Sequence, residues 1–172
     1  IVSCISFAVN YGLDRDSIYT KQLRMRGELL THDKDSSAFV FLRLDELMET
    51  DFIRLRESIT LGDVVNIISS SRRNIFPVVN NDGQMQGIVY LDDVREVMFD
   101  RDKYSSHVYT FMKQVPEFVY CKEKMESVMN KFEFTGAWNL PVVDETGKYL
   151  GFVSKSKIFS AYREQLQQVS HD

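Results

Sequence analysis

Apolar residues fall into the same order twice along this chain. Leu61, Val64, Val65 and Ile68 are spaced i, i+3, i+4, i+7, one face of an amphipathic helix. Met125, Val128, Met129 and Phe132 repeat that spacing 64 positions later. Each set leads into an apolar run, Ile75-Phe76-Pro77-Val78-Val79 and Asn139-Leu140-Pro141-Val142-Val143, of strand composition. Asn80-Asn81-Asp82-Gly83 and Asp144-Glu145-Thr146-Gly147 follow as turns, with glycine supplying a positive φ. Returning strands are predicted over 86–90 and 149–153. Closing helices then carry Leu91, Val94, Val97 and Met98 in one copy, and Ile158, Phe159, Tyr162 and Leu166 in the other. Short strands are expected at Ile53-Arg54-Leu55 and Phe118-Val119, and Thr60 is placed to cap the first helix. The offset extends upstream, pairing Met48 with Met112. Each copy thus predicts strand, helix, strand, strand, helix, an α/β unit. Two copies of about 60 residues imply a pseudo-two-fold pair rather than a solenoid. A single copy would bury little apolar surface, so the copies are expected to share a core.

The remainder divides the chain into residues 1–35, a first repeat over 36–100 and a second over 101–172, with a polar bridge at 100–106. Residues 1–13 carry no charge. They predict a helix, but a bilayer requires about 20 apolar residues. An ordinary buried helix and the end of a membrane helix both remain open; with Ile rather than Met at position 1, a longer protein is expected. Arg15, Lys21, Arg24 and Arg26 follow, as on the cytoplasmic side of a membrane. A second helix is predicted over 17–29, capped by Asp16 or Ser17, then a linker at 32–37.

Charge and chemistry narrow the function. A net charge of −4 argues against nucleic acid as a partner. Cys4 and Cys121 form no framework, in keeping with a reducing compartment and with buried small hydrophobes. His32, His107 and His171 lack metal-ligand spacing. Arg72-Arg73 is expected as a solvated helix end, and Trp138 as core or interface. With no phosphate loop, zinc motif or nucleophile elbow, no catalysis is expected.

The repeated run of apolar-Pro-Val-Val, Asn/Asp-Gly turn, Gly-apolar-Val and helix resembles the cystathionine-β-synthase (CBS) domain over residues 44–165. Upstream, Ser17-Ile18-Tyr19-Thr20-Lys21-Gln22-Leu23 and Arg26-Gly27-Glu28-Leu29-Leu30-Thr31-His32-Asp33-Lys34-Asp35 look like the junction between the last membrane helix and the CBS pair of CLC-family chloride channels and transporters. That resemblance implies a tandem CBS pair preceded by membrane-junction helices. It further implies a homodimer, a membrane-embedded transport domain on the same chain, and a place on the cytoplasmic face of the cell membrane. Tyr19 matches a tyrosine that in the family faces permeating chloride; an amphipathic packing role is the alternative. Other expectations compatible with the repeats are a CBS module of a metabolic enzyme or another transporter, and a purely structural dimerisation module.

CBS pairs of this kind can bind adenine nucleotides, so ATP, ADP or AMP are the candidate ligands. The family signature is Gly-apolar-apolar-Thr/Ser-x-x-Asp, with the hydroxyl meeting phosphate and the carboxylate accepting the ribose hydroxyls. Each copy here keeps half. Gly87-Ile88-Val89-Tyr90-Leu91-Asp92-Asp93 keeps Asp93 but has Tyr90 at the hydroxyl position. Gly151-Phe152-Val153-Ser154-Lys155-Ser156-Lys157 keeps Ser154 but has Lys157 at the carboxylate position. A lysine cannot accept from a diol, though it can attract phosphate. If an adenine nucleotide binds, the cleft carrying Asp93 is therefore expected to take it rather than the cleft carrying Lys157. The alternative is that Asp93 and Ser154 are ordinary first-turn helix residues.

Overall fold

A computed structural model describes residues 42–169 of the chain, and within the last helix the side chains only as far as residue 165. The expectations for residues 1–41, among them both upstream helices, Cys4 and Tyr19, lie outside the described residues, as does His171.

The two repeats follow one backbone plan. After a short helix α1 (Leu44–Leu47), the first runs β1 (Leu55–Arg56), α2 (Leu61–Ser70), β2 (Ile75–Val79), β3 (Met85–Tyr90) and α3 (Leu91–Arg95). The second runs β4 (Val119–Tyr120), α4 (Met125–Thr135), β5 (Asn139–Val143), β6 (Tyr149–Ser154) and α5 (Lys155–Val169). Each forms a three-stranded mixed sheet, ordered β1-β2-β3 and β4-β5-β6, with the outer short strand parallel and the hairpin antiparallel. The registers repeat as well: Pro77 opposes Ile88 and Pro141 opposes Phe152, with an irregularity after Val78 and after Val142.

The hairpin turns form as the glycines predict. Gly83 and Gly147 have φ of 80° and 82°, a region that side chains with a Cβ rarely adopt. Asn80 Oδ1 accepts from the N–H groups of Asp82 and Gln84, and Asp144 Oδ1 from those of Thr146 and Lys148. Thr60 caps α2 in a capping box with Asp63.

The repeats are joined by exchanged segments. Glu49, before the first repeat's strands, pairs with Phe152 of the second through N–H to O distances of 2.8 and 2.9 Å. Lys113, before the second repeat's strands, pairs with Ile88 of the first at 2.8 and 2.9 Å. The hairpin turns also meet: Met85 N–H donates to Gly147 O at 3.1 Å and Tyr149 N–H to Gly83 O at 3.0 Å. The exchange explains the proline within β2. Ile88 directs its N–H and C=O outward to Lys113, so the opposing Pro77 turns its missing donor toward the β1 side. There β1 starts only alongside Val78. This is why the first strand lies at Leu55–Arg56 rather than the expected 53–55, and its counterpart at Val119–Tyr120.

The core is layered rather than single. Leu55, Leu61, Val64, Phe76, Val78 and Val89 pack between the first sheet and its helices. Val119, Val128, Phe132, Leu140, Val142 and Val153 do so in the second, completed by Leu42, Leu44 and Leu47 from before the first repeat. A third layer lies between the sheets: Ile75, Val79, Met85 and Ile88 face Val143, Tyr149 and Phe152. The expected shared core is this third layer.

Three further expectations need correction. The first closing helix ends at Arg95, although Val97 and Met98 continue as hydrogen-bonded turns off Val94. The polar bridge beyond it is not a free linker. Ser106 and Tyr104 carbonyls accept from the N–H groups of Leu61 and Gly62, which open α2 and have no intrahelical partner. Arg73, expected as solvated, is also engaged (below).

Candidate functional site: two clefts with exchanged charges

The signature residues sit where each third strand gives way to its closing helix, beside the exchanged segment from the other repeat. In the first cleft Tyr90 ends β3 and Asp93 lies in the first turn of α3. Facing them is Lys113, whose backbone pairs with Ile88. Its ammonium donates to Asp93 Oδ1 at 2.6 Å and stands 5.9 Å from the centre of the Tyr90 ring. That hydrogen bond holds the Lys113 ammonium above its usual pKa. Burial raises the Tyr90 phenol. Asp93 Oδ2 is buried with no donor.

The second cleft has the same frame and the opposite charges. Offset by 64, Tyr90 becomes Ser154, Asp93 becomes Lys157 and Lys113 becomes Glu49. Ser154 Oγ accepts from Lys157 N–H at 3.3 Å and lies 3.4 Å from Ser156 Oγ, the role of a helix-start residue. Among the described residues Lys157 has no ion-pair partner. Glu49 pairs with Arg73 instead, at 3.3 Å. Arg73 also donates to Asp51 O at 3.0 Å, and its guanidinium lies 4.4 Å from the centre of the Phe52 ring. Phe52 in turn meets Phe152 edge-on at 4.9 Å. The residue 64 positions after Arg73 is Ala137, so the first cleft has no such arginine.

Sequence reasoning placed Asp93 with Tyr90, and Ser154 with Lys157, and the structure brings each pair to one helix start. It missed Lys113, Glu49 and Arg73, which reach the clefts through the strand exchange. The extension of the repeat to Met48 and Met112 was the available signal, because it carries Glu49 and Lys113 into register. Two glycines make the approach possible. A Cβ on Gly87 would lie 2.8 Å from Lys113 O and against the Met112 side chain, and one on Gly151 would lie 2.5 Å from Glu49 O.

A separate groove of about 420 Å³ lies between the hairpin turns, bounded by Gln84, Gln86, Phe118, Tyr120 and Glu145. Gln84 Nε2 crosses to Thr146 O at 2.8 Å. None of the signature residues lines this groove. Tyr149, on the strand leading from it, has its hydroxyl buried without a partner, and burial raises its pKa. Among the described residues no group of acidic, histidine or cysteine side chains could hold a metal ion. No described helix is long and apolar enough to cross a membrane.

Two strand-exchanged β-α-β-β-α units facing each other across a sheet layer define a tandem repeat module. The CBS domain model matches residues 44–100 and 108–164, and the chain belongs to that family, with a pair of CBS domains. The chain is 25% identical over 142 residues to the A-adding tRNA nucleotidyltransferase of Aquifex aeolicus, which covers 76% of this chain but 16% of that enzyme. It thus spans about a sixth of the length of that relative. Among solved structures, CbpB in complex with c-di-AMP aligns with a TM-score of 0.66 at 15% identity, over 80% of this chain and 95% of that one. CBSX2 in complex with AMP aligns at 0.60 and 20% identity, over 73% and 98%. Both likenesses are of fold.

Proposed function

We propose that this CBS pair is the cytoplasmic regulatory module of a CLC-type chloride channel or chloride/proton antiporter, without a catalytic step of its own. The regulatory part rests on the exchanged segments. Because Glu49 completes the second repeat's sheet and Lys113 the first's, one repeat cannot shift without moving the segment that opens the other. Leu42, Leu44 and Leu47, packed on the second repeat, carry such a shift back toward residues 1–41. A ligand or partner favouring one arrangement then biases transport by its differential affinity for the two. The transport part rests on the match of residues 17–35 to the CLC junction, with Tyr19 facing chloride in the intact protein and the module working within a homodimer.

Adenine nucleotide is the ligand class supported by the likeness to AMP-bound and c-di-AMP-bound CBS structures. The residues fit it in part. Asp93 could accept ribose hydroxyls, but its Oδ1 is held by Lys113. Lys157 could attract phosphate but cannot accept from ribose. The test is chloride efflux from liposomes carrying the complete protein, with and without residues 42–172 and with and without AMP or ATP. Efflux that the module or the nucleotide alters is expected. Absence of chloride efflux from the complete protein overturns the transport reading.

A further inference from the structure

We propose that Lys113 is an internal occupant of the first cleft, a latch that holds the Asp93 carboxylate a ribose would otherwise engage. The proposal rests on the nucleotide part of the reading above. Lys113 belongs to the second repeat's opening segment and Asp93 to the first repeat's closing helix, so their 2.6 Å ion pair fastens one repeat to the other at the cleft mouth. The Asp93 side chain is 25% exposed and the Lys113 side chain 61%, so the latch is reachable from solvent and can be displaced. A ribose diol brings two donors. Lys113 already supplies one at Oδ1, and the other oxygen, Oδ2, is buried without any. The half-buried Tyr90 ring beside the ammonium stands where the family signature has a small hydroxyl. The second cleft provides the internal contrast. There the charges are exchanged, and Glu49 turns to Arg73, leaving Lys157 without an ion pair among the described residues. Among the interactions of the described residues, the bond between a closing helix and the exchanged segment facing it is that of the first cleft.

The latch makes a counterintuitive demand: removing a cation must improve the binding of a neutral nucleoside. Adenosine is the suitable probe, because it carries the ribose without the phosphate that Lys113 would attract. Calorimetric titration of the full chain compares the unaltered protein with Lys113→Met and Lys113→Gln. Displacing an exposed ion pair costs up to about 1 kcal/mol, so both variants should bind adenosine up to about fivefold more tightly. The gain should vanish when Asp93→Asn is added, since the freed acceptor is then gone. Adenosine affinity unchanged or weakened in both Lys113 variants, with the unaltered protein binding, overturns the latch alone. If neither the unaltered protein nor any variant binds adenosine or AMP, the nucleotide reading falls and the latch with it.

Discussion

At position 93 the first repeat places an aspartate against Lys113; at position 157 the second places a lysine, and the facing Glu49 is drawn to Arg73. The backbone around both is the same, down to the register of Pro77 with Ile88 and Pro141 with Phe152. Hydrogen-bonded sheet geometry therefore sets the frame, and side-chain charge makes the two clefts unequal within it. The first is closed by a direct bond between closing helix and exchanged segment. The second is braced by an arginine with an aromatic ring beneath it, away from its helix start. A module with two like sites would answer a ligand alike at both. Here the two clefts differ in charge and in bracing.

The frame itself offers the strongest way to break the comparison. Gly151 and Gly87 hold equivalent places under the exchanged segments, but the obstacles differ. A Cβ at 151 would meet Glu49 O, a backbone atom that cannot move without unpairing the segment from Phe152. At 87 the nearest obstacle is the Met112 side chain, which is flexible, and Lys113 O lies slightly farther away. Gly151→Ala should cost about 3 kcal/mol and Gly87→Ala about 1–2 kcal/mol, within the range of overpacking. Thermal or urea unfolding of the two variants checks the order. Equal losses would mean that the exchanged segments adjust as easily in one repeat as in the other.

Much of this frame was legible beforehand because it depends on local chemistry. Helical spacing at Leu61, Val64, Val65 and Ile68, the buried Ile75–Val79 run, and glycine at 83 and 147 each point to one local structure, and each formed. What escaped were the features made by contact across the repeats. Nothing local in Glu49 or Lys113 announces a strand exchange, since each makes its pairing with a single residue. Ser106 and Tyr104 look like linker residues because their partners are the N–H groups of Leu61 and Gly62, over 40 positions away. Arg73 follows a helix in sequence, yet its bonds lie back at Glu49 and Asp51. Asp93 and Ser154 were correctly placed at helix starts, but the partners that decide whether a ligand could use them come from elsewhere in the chain.

The braces of the two clefts should differ in strength. Arg73 is about one-third exposed and combines an ion pair, a bond to a backbone carbonyl and a stacked ring. Lys113 is largely exposed and contributes one ion pair and a distant ring. Arg73→Ala should lower unfolding stability by about 1–2 kcal/mol, whereas Lys113→Met should lower it by less. Chemical denaturation at low and high salt separates them further, because the exposed pair is the more easily screened. A larger loss from Lys113→Met would place the main tie between the repeats at the first cleft.

A further expected effect, smaller than the loss of Arg73, concerns how the helices behind the clefts are anchored. In the first repeat α2 relies on Thr60 and Asp63, both at the surface, with Thr60 Oγ1 donating to Asp63 Oδ2 at 2.7 Å. In the second, the residues 64 positions after Ile59, Asp63 and Ile67 are Glu123, Ser127 and Lys131, and they form a half-buried cluster. Ser127 Oγ donates to one Glu123 oxygen, while Lys131 Nζ at 2.9 Å and Tyr120 N–H at 3.0 Å donate to the other. Burial opposes ionisation of Glu123, but the hydroxyl, the N–H and the ammonium together outweigh it and hold the carboxyl below its usual pKa. The folded carboxyl is thus the stronger acid. Its stabilising contribution is complete above the unfolded glutamate value of about 4.3 and is lost as the pH falls through the lower folded value. Glu123→Gln should therefore cost about 1 kcal/mol at neutral pH, and that difference from the unaltered protein should shrink as the pH falls below about 4. Unfolding midpoints measured from pH 7 to pH 3 provide the check. A gap between the two proteins that stays constant with pH would show that Glu123 is held by packing rather than by charge.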